Sequence, residues 1–456
     1  MKIKKLHLQN FRCYKKSEIE FEPDLTVLIA DNGVGKTSIL DALAKGFGNL
    51  YKGFPGVKTH DLSPLDIRIR ESELQEDMCL LTYLAESDGQ HFFWGRLKKK
   101  NSAIPKDVQA SMQNVAIGEV LRNDLEDEPS ILSPIRDKHV EIMRAFNQGE
   151  DFSLPVIVYY GTQRAVRDDV KRRRGFRQSF TRFDALAGAL DAESNFRKAL
   201  EWFNAMEEEE RREKVQRQDY AFEDPNLKAV RHAICELLPD KHSNPRVEVR
   251  PVRFVIDQQL SDGIKRTLRL SQLSDGYRIV LAMVMDLARR LVEANPIKTN
   301  RDPFNVPSIA LIDEIDLHLH PAWQQNILAS LLRVFPHTQF IVTTHSPQVL
   351  STVPARSLRK ISSNQEGIQI TSNYKFLSGA RSDYVLEDIF GVEARPQNND
   401  MVTMLNRYRE LLEKDQWDSE EALQLRETLN DWGRGFEKEL EKIDVDIKVR
   451  EFRRKK

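Results

Sequence analysis

The chain has 456 residues, enough for about two to four domains or one large core with insertions. Its 69 Lys and Arg residues balance 70 Asp and Glu, leaving a formal net charge of −1, so there is no global attraction to nucleic acid and such binding would have to come from local patches. No apolar run approaches the roughly 20 residues of a membrane span, and the opening MKIKKLHLQNF lacks the apolar stretch of a secretory signal. The expectation is a cytoplasmic protein whose scattered Cys13, Cys79 and Cys235 stay reduced.

Residues 1–9 read as a strand with Ile3, Leu6 and Leu8 as apolar points, and residues 19–22 as a second short strand. Thr26–Ala30 (TVLIA) is a compact run of the buried-strand kind. It leads into DNGVGKT and then the helical pattern SILDALAKGF. Met78–Glu86 and His91–Leu97 flank Ser-Asp-Gly, a hairpin signal. Residues 107–147 read mostly helical, and Leu154–Tyr160 is another apolar run ending in YYGTQR. Residues 165–240 are densely charged at helical spacing, with KRRR at Lys171–Arg174 and EEEE at Glu207–Glu210; they read as a helical insertion on the surface, not as a core layer. Alternation resumes at Arg246 in RVEVRPVRFVID, where Pro251 marks a bend or edge. A long helix is predicted over Tyr277–Glu293, and Ile309–Ile312 and Gln339–Thr343 are further buried strands. Residues 383–456 are helix-rich and charged.

Ala30-Asp31-Asn32-Gly33-Val34-Gly35-Lys36-Thr37 matches the phosphate-binding P-loop pattern except for Ala at its first position. Small residues let backbone N–H groups close around phosphate oxygens, and the following helix start adds positive partial charge. Lys36 would reach the β- and γ-phosphates, and Thr37 would offer its hydroxyl to Mg²⁺. A second strand, SIALI, ends in Asp313-Glu314: Asp313 would hold the metal and Glu314 would polarise the attacking water. The histidines of IDLHLHP, His318 and His320, read as a structural loop beside the nucleotide. His345, in TTHSP after the next strand, stands where a side chain could sense a γ-phosphate.

The string QLSDG occurs twice. After Gln259–Gly263 comes IKRTLRL, with β-like alternation, so that copy reads as a turn between strands. After Gln272–Gly276 comes YRIVLAMVMDLARRLVE, where Val280, Met283, Val284, Leu287 and Leu291 share one helical face. Only this copy offers a helix start to a phosphate; Ser274 and Gly276 are its predicted contacts, Ser274 and Asp275 suit the N-terminus, and Arg278 is placed to neutralise Asp275.

The order P-loop, LSDG signature, LIDEIDLHLHP, THSP, with LQNFRCY at Leu8–Tyr14, resembles the ABC-type ATPases of the SMC/RecF/OLD-like group. The resemblance implies an α/β fold: an ABC-type ATPase head, a mixed β-sheet with P-loop and flanking helices, carrying a helical insertion and a helical C-terminal extension. The divisions expected are 1–165 and 246–380 for the head, 166–245 for the insertion and 381–456 for the extension. It implies that Asn32, Gly33, Gly35, Lys36, Thr37 and Ser38 bind ATP, that Thr37, Asp313 and Gln163 surround Mg²⁺, and that Glu314, Lys36, His345 and Gln163 act in hydrolysis. Arg12 is either a phosphate-approaching arginine or a surface one, and Gln163 either the Q-loop glutamine or a plain loop residue. Two heads would sandwich ATP, the signature of one facing the P-loop of the other.

YYGTQR, QLSDGYR, DEIDLHLHPAWQQ and the short insertion are more narrowly similar to the PtuA-like ATPases of Septu-type anti-phage systems, which implies a homo-oligomer and a separate HNH nuclease partner. Asp444-Val445-Asp446 is a poor match to a Toprim nuclease, being near the end of a charged region with little strand pattern. The apolar points Met401, Met404, Leu405, Tyr408, Leu411 and Leu412 read either as a cover for the ATPase core or as a docking surface. The basic run Arg164–Arg182, with Phe176 and Phe180, is either a nucleic-acid contact or a solvated face. The alternative function is a RecF-like repair ATPase that binds duplex DNA directly; a third is an assembly protein with a slow ATPase.

Overall fold

The structure is a computed structural model; it describes residues 1–69, 75–100, 132–163, 181–192, 196–238, 242–249, 252–260, 263–297, 302–365, 367–372 and 374–454. Residues 107–131 of the stretch 107–147 expected to be mostly helical, and nearly all of the basic run at 164–182, lie outside these residues. The chain forms two compact units, Met1–Ala380 and Arg381–Lys456. Among the described residues no helix is long and apolar enough to cross a membrane.

The first unit opens with β1 (Lys2–Phe11) and β2 (Tyr14–Glu20), an antiparallel pair. β2 starts earlier than residue 19 because Tyr14 and Lys16 already pair with Phe11 and Gln9. β3 (Leu25–Ala30) is buried at every position and leads through the P-loop into α1 (Lys36–Tyr51). β4 (Met78–Ser87) and β5 (Gln90–Lys99) form the expected hairpin, with Asp88 and Gly89 at φ 54 and 76, the two-residue turn that matches strand twist. β6 (Leu132–Pro134), α2 (Ile135–Gln148) and β7 (Ile157–Tyr160) follow.

Next come α3 (Phe196–Gln216), α4 (Pro225–Leu237), β8 (His242–Val249), β9 (Val252–Gln259), β10 (Lys265–Arg269) and α5 (Asp275–Ala294). β11 (Ser308–Ile312), α6 (Ile327–Val334), β12 (Thr338–Thr343), β13 (Leu358–Asn364) and β14 (Gly367–Thr371) complete the unit.

A six-stranded sheet runs β14-β13-β3-β12-β11-β7. Its neighbours are parallel except for the edge strand β14, so it is mixed and places the C-terminal ends of β3, β12, β11 and β7 along one rim. A second sheet runs β2-β1-β4-β5-β6. Gln339 ties the two together: its buried amide accepts from Ile3 N at 2.8 Å and donates to Ile3 O at 2.8 Å and Glu22 O at 2.7 Å. A polar side chain in a core strand is tolerated because every one of these groups is satisfied.

The charged stretch after residue 195 differs from its sequence reading. Ala199, Leu200, Trp202 and Phe203 of α3 and Leu227, Val230, Ala233 and Ile234 of α4 are buried, and both helices pack on α5. These helices pack into the core and do not lie on the surface as expected. The EEEE run is part of it. Glu207 and Glu210 are each 4% exposed; Arg231 donates to Glu207 at 2.9 Å and to Glu210 at 3.1 Å, and Val247 N donates to Glu207 at 3.1 Å. A buried carboxylate needs such partners to remain charged.

In the second unit, α7 (Asp400–Glu413), α8 (Glu420–Gly433) and α9 (Lys438–Arg454) enclose a core of Leu405, Tyr408, Leu411, Leu412, Trp417, Leu429 and Leu440. Of the apolar points of residues 401–412, Leu405, Tyr408, Leu411 and Leu412 are buried in this unit's own interior, with Met404 packed against it. Asp444 and Asp446 lie on a helix, paired with Arg426 at 2.6 Å and Arg450 at 3.1 Å. That is not the strand-end setting a nuclease carboxylate pair needs.

Candidate functional site

Four loops leave the same rim of the six-stranded sheet: the P-loop after β3, Asp313-Glu314 after β11, His345 after β12 and Gln163 after β7. In open parallel sheets this carboxyl rim is where ligands bind. Parallel pairing sets the alignment, with Ile312 opposite Val342 and Tyr160, and Val342 opposite Val27.

The P-loop takes the shape its glycines permit. Gly33 and Gly35 have φ of 80 and 117, which L side chains rarely adopt. At Gly35 space is also exhausted: a Cβ would lie 2.6 Å from Cys13 Sγ and 2.9 Å from the Tyr14 hydroxyl. Tyr14 donates to Gly35 O at 3.1 Å, so the turn between β1 and β2 braces the loop from behind. Asn32 and Thr37 are exposed and Ser38 is half-buried. The Lys36 ammonium donates to Ala30 O at 2.8 Å and Asp31 O at 3.2 Å, which holds it over the loop. Burial lowers its pKa, against the pull of Asp313, Glu314, Asp31 and Asp316.

The Thr37 hydroxyl lies 2.8 Å from Asp313 Oδ2, across 276 residues of sequence. Asp313 is 4% exposed, and its N–H continues the sheet by donating to Tyr160 O at 2.8 Å. Thr343 completes the carboxylate's setting, donating from its hydroxyl to Asp313 Oδ1 at 2.6 Å. The same hydroxyl accepts from Glu314 N at 2.7 Å, and Thr343 O accepts from Ile315 N at 3.0 Å. These bonds hold Glu314 at φ 47, a left-handed conformation costing on the order of 1 kcal/mol for a residue with a Cβ. One more residue in extended backbone would have sent the two carboxylates to opposite faces. The left-handed step instead starts a turn, and Glu314 remains half-buried at the rim.

Among the described residues no cluster of three or more His, Cys, Asp or Glu side chains forms a metal cage. Thr37 and Asp313 fit a different requirement: a hydroxyl and a carboxylate, both hard oxygen donors, at the mouth of a phosphate loop, where Mg²⁺ takes its remaining ligands from phosphate and water. His320 is occupied locally, its Nδ1 accepting from Ala322 N at 3.3 Å.

The remaining predicted residues are placed as follows. His345 is half-buried at the end of β12, and Gln163 is exposed beyond β7. Arg12 is neither a free surface arginine nor aimed at open solvent: it donates to Asp41 at 2.5 Å and to Asp66 at 3.0 Å. Burial works against its charge, but Asp41 and Asp66 outweigh it and raise its pKa.

The two QLSDG copies separate as expected. β9 and β10 pair with Lys265 opposite Gln259, and Gly263 turns between them at φ 84. In the second copy Ser274 is the N-cap position of α5, yet its side chain makes no capping hydrogen bond, which differs from the capping role expected. Asp275 is paired with Arg278. A Cβ on Gly276 would lie 2.5 Å from His318 O, so the start of α5 rests directly on the loop that follows the acidic pair.

Sequence reasoning missed Thr343, Thr344, Asp316, Gln324 and Tyr14. The signal for the threonines was their place as two adjacent hydroxyls at a strand end beside an acidic pair. Thr344 donates to Asp316 at 2.6 Å, so each threonine serves one carboxylate of the acidic loop.

Comparison with known proteins agrees with this geometry. A family model described as AAA domain matches residues 5–233, and one described as AAA domain, putative AbiEii toxin, Type IV TA system matches residues 160–351. The chain is 28% identical over 491 aligned residues to the retron Ec83 probable ATPase of Escherichia coli, covering 99% of this chain and 87% of that protein. It is 26% identical to the retron Vc95 probable ATPase of Vibrio cholerae, covering 93% and 87%. To the Septu protein PtuA of Bacillus mycoides it is 42% identical over 79 residues, 17% of this chain and 10% of that protein. The whole-chain likeness is thus to retron ATPases, while the likeness to PtuA covers only part of the chain. The chain belongs to the AAA-domain family and is an ATPase, similar over nearly its whole length to the retron ATPases and over part of it to PtuA.

Proposed function

We propose that this ATPase is the ATP-binding and hydrolysing subunit of a cytoplasmic anti-phage defence complex. In this reading ATP is sandwiched between two copies of the chain, and its hydrolysis governs a separate HNH-type nuclease subunit. The observation that supports the reading is the contact of Thr37 with Asp313 at 2.8 Å beside Glu314, a hydroxyl and two carboxylates together at one phosphate loop. Lys36, with Asn32, Gly33, Gly35 and Ser38 around it, would hold the phosphates. Mg²⁺ would sit on Thr37 and Asp313, with Gln163 nearby, and Glu314 would orient water while His345 senses the γ-phosphate. The defence role is supported by relatives named as retron ATPases and as a Septu protein.

Sandwiching is supported by Ser274, which is exposed at the start of α5 with its hydroxyl unused by the helix, and by the pairing of Asp275 with Arg278, which removes an unpaired negative charge from an approaching phosphate. In the test, Glu314→Gln is expected to keep nucleotide binding and to lower turnover by roughly 10²-fold or more. Turnover within about two-fold of the parent removes Glu314 as base. Light scattering of Glu314→Gln with ATP should give twice the monomer mass, and Ser274→Arg should return it to monomer without lowering the melting temperature. DNA cleavage should require the nuclease subunit; ATP-dependent duplex binding by this chain alone would favour the RecF-like reading instead.

A further inference from the structure

Gln324 lies eleven residues beyond Asp313, inside the DEIDLHLHPAWQQ stretch, where the sequence assigns it no role. Its amide bridges two of the loops at the site. Nε2 donates to Leu319 O at 3.0 Å and to Asp316 O at 3.4 Å, both on the loop that follows the acidic pair. Oε1 accepts from the Ser346 hydroxyl at 2.7 Å, beside His345; this is the shorter of that hydroxyl's two acceptor contacts, the other being Gln348 Oε1 at 3.1 Å. The two carbonyl oxygens can only receive hydrogen bonds, so the NH₂ group must face them and the amide orientation is fixed by its partners.

The loop so held also touches the signature helix. Gly276 has no room for a Cβ against His318 O, and Tyr277 packs on Trp323, the neighbour of Gln324, with ring centroids 4.3 Å apart. His318 itself sits at φ 63, so this loop is kept in a conformation it would not adopt unaided. One side chain therefore links the segment carrying His345, the loop carrying Asp316 and the surface on which the start of α5 rests.

We propose that Gln324 is a positioning residue for ATP hydrolysis, holding His345 and the start of α5 in register with the acidic pair through Ser346 and the 316–319 loop. Its hydrogen bonds go to Asp316 O, Leu319 O and Ser346 Oγ, not to the phosphate loop or to the carboxylates of Asp313 and Glu314, so it acts on the arrangement of the hydrolytic groups and not on the binding of nucleotide. The proposal rests on the ATPase site assigned above.

The test is steady-state ATP turnover and fluorescent-nucleotide affinity of Gln324→Met, which keeps length and removes both hydrogen-bonding ends, with Glu314→Gln measured in parallel. The expected result is a kcat at least about ten-fold lower, with KM and nucleotide affinity within about two-fold of the parent, since small misplacements of reacting groups cost rate more than binding. Unchanged kcat, or equal losses in kcat and affinity, overturns the proposal. Ser346→Ala then closes a double-mutant cycle: added to Gln324→Met it should cause no further loss of kcat, whereas multiplying losses would mean the two residues act separately and would also overturn it. If Gln324→Met misfolds, Gln324→Glu, which keeps the acceptor and loses the donor at neutral pH, must show the same split between kcat and KM. If Glu314→Gln retains turnover, the site assignment fails; if it abolishes turnover while Gln324 variants match the parent, only the positioning role fails.

Discussion

Thr343 donates its hydroxyl proton to Asp313 at 2.6 Å and, with the same oxygen, receives the backbone N–H of Glu314 at 2.7 Å. One hydroxyl on one strand thus sets both the carboxylate expected to hold metal and the backbone turn that presents the candidate base. Asp313 is buried, so its lone pairs need donors, and Thr343 and Thr37 supply one to each oxygen.

Replacing Thr343 by Val keeps the shape of the strand and removes only the oxygen. It removes one hydrogen bond from the Glu314 N–H and one from Asp313, a loss of about 1–3 kcal/mol for a buried group. The expected outcome is a lower melting temperature in scanning calorimetry and a kcat decrease larger than any change in KM. A melting temperature equal to the parent's would show that water replaces the hydroxyl at no cost.

The two P-loop glycines should respond differently to alanine. At Gly33 nothing lies within 4 Å of a new Cβ, so Gly33→Ala meets only the penalty of φ 80, roughly 1–2 kcal/mol. At Gly35 the Cβ also meets Cys13 and Tyr14 at under 3 Å. Gly35→Ala should therefore lose nucleotide binding and lower the melting temperature further than Gly33→Ala does. Equal effects, measured by nucleotide titration and thermal melts, would mean that the turn carrying Cys13 and Tyr14 yields easily.

Much of this site is legible in the sequence, because the P-loop and the acidic pair each follow a short apolar run whose only sensible place is a buried strand. Thr343 is not legible in the same way: in TQFIVTT it reads as one more β-branched strand former, and its role exists only once β11 and β12 lie side by side in register. The sequence shows one apolar face, Val280 to Leu291, for α5, the helix after the second QLSDG copy. Its opposite face is also buried, with Asp286, Arg289, Arg290 and Glu293 each under 9% exposed. Periodicity could not show this, since charged residues on a helix read as solvated until their partners are known. Here Arg289 and Arg290 reach Asp286 at 2.9 and 2.6 Å, and Tyr160 donates to it at 3.1 Å from the neighbouring strand.

That buried cluster gives a pH prediction. Burial raises the Glu293 carboxyl from 4.5 to about 7, despite the attraction of Arg289. A group with a raised folded pKa binds more protons folded than unfolded between those values, so it withdraws stability as pH rises through this window. Chemical denaturation from pH 4.5 to 7 should include a downward contribution of up to about 3 kcal/mol from this residue. Glu293→Gln, which stays neutral and can still accept from Arg289, should remove that slope. A parent and variant with parallel stability curves over this range would show that Glu293 is charged in both states.

The left-handed backbone at Glu314 has a further consequence for anyone who evolves this protein in the laboratory. Glycine would relax that position at no steric cost, and asparagine would relax it in part. A library randomised at residue 314 and sorted only for heat resistance should therefore enrich clones that have lost the carboxylate. With Glu314 as the proposed base, robustness and turnover would pull in opposite directions at this one residue, and a selection blind to hydrolysis would breed the ATPase out of its own scaffold.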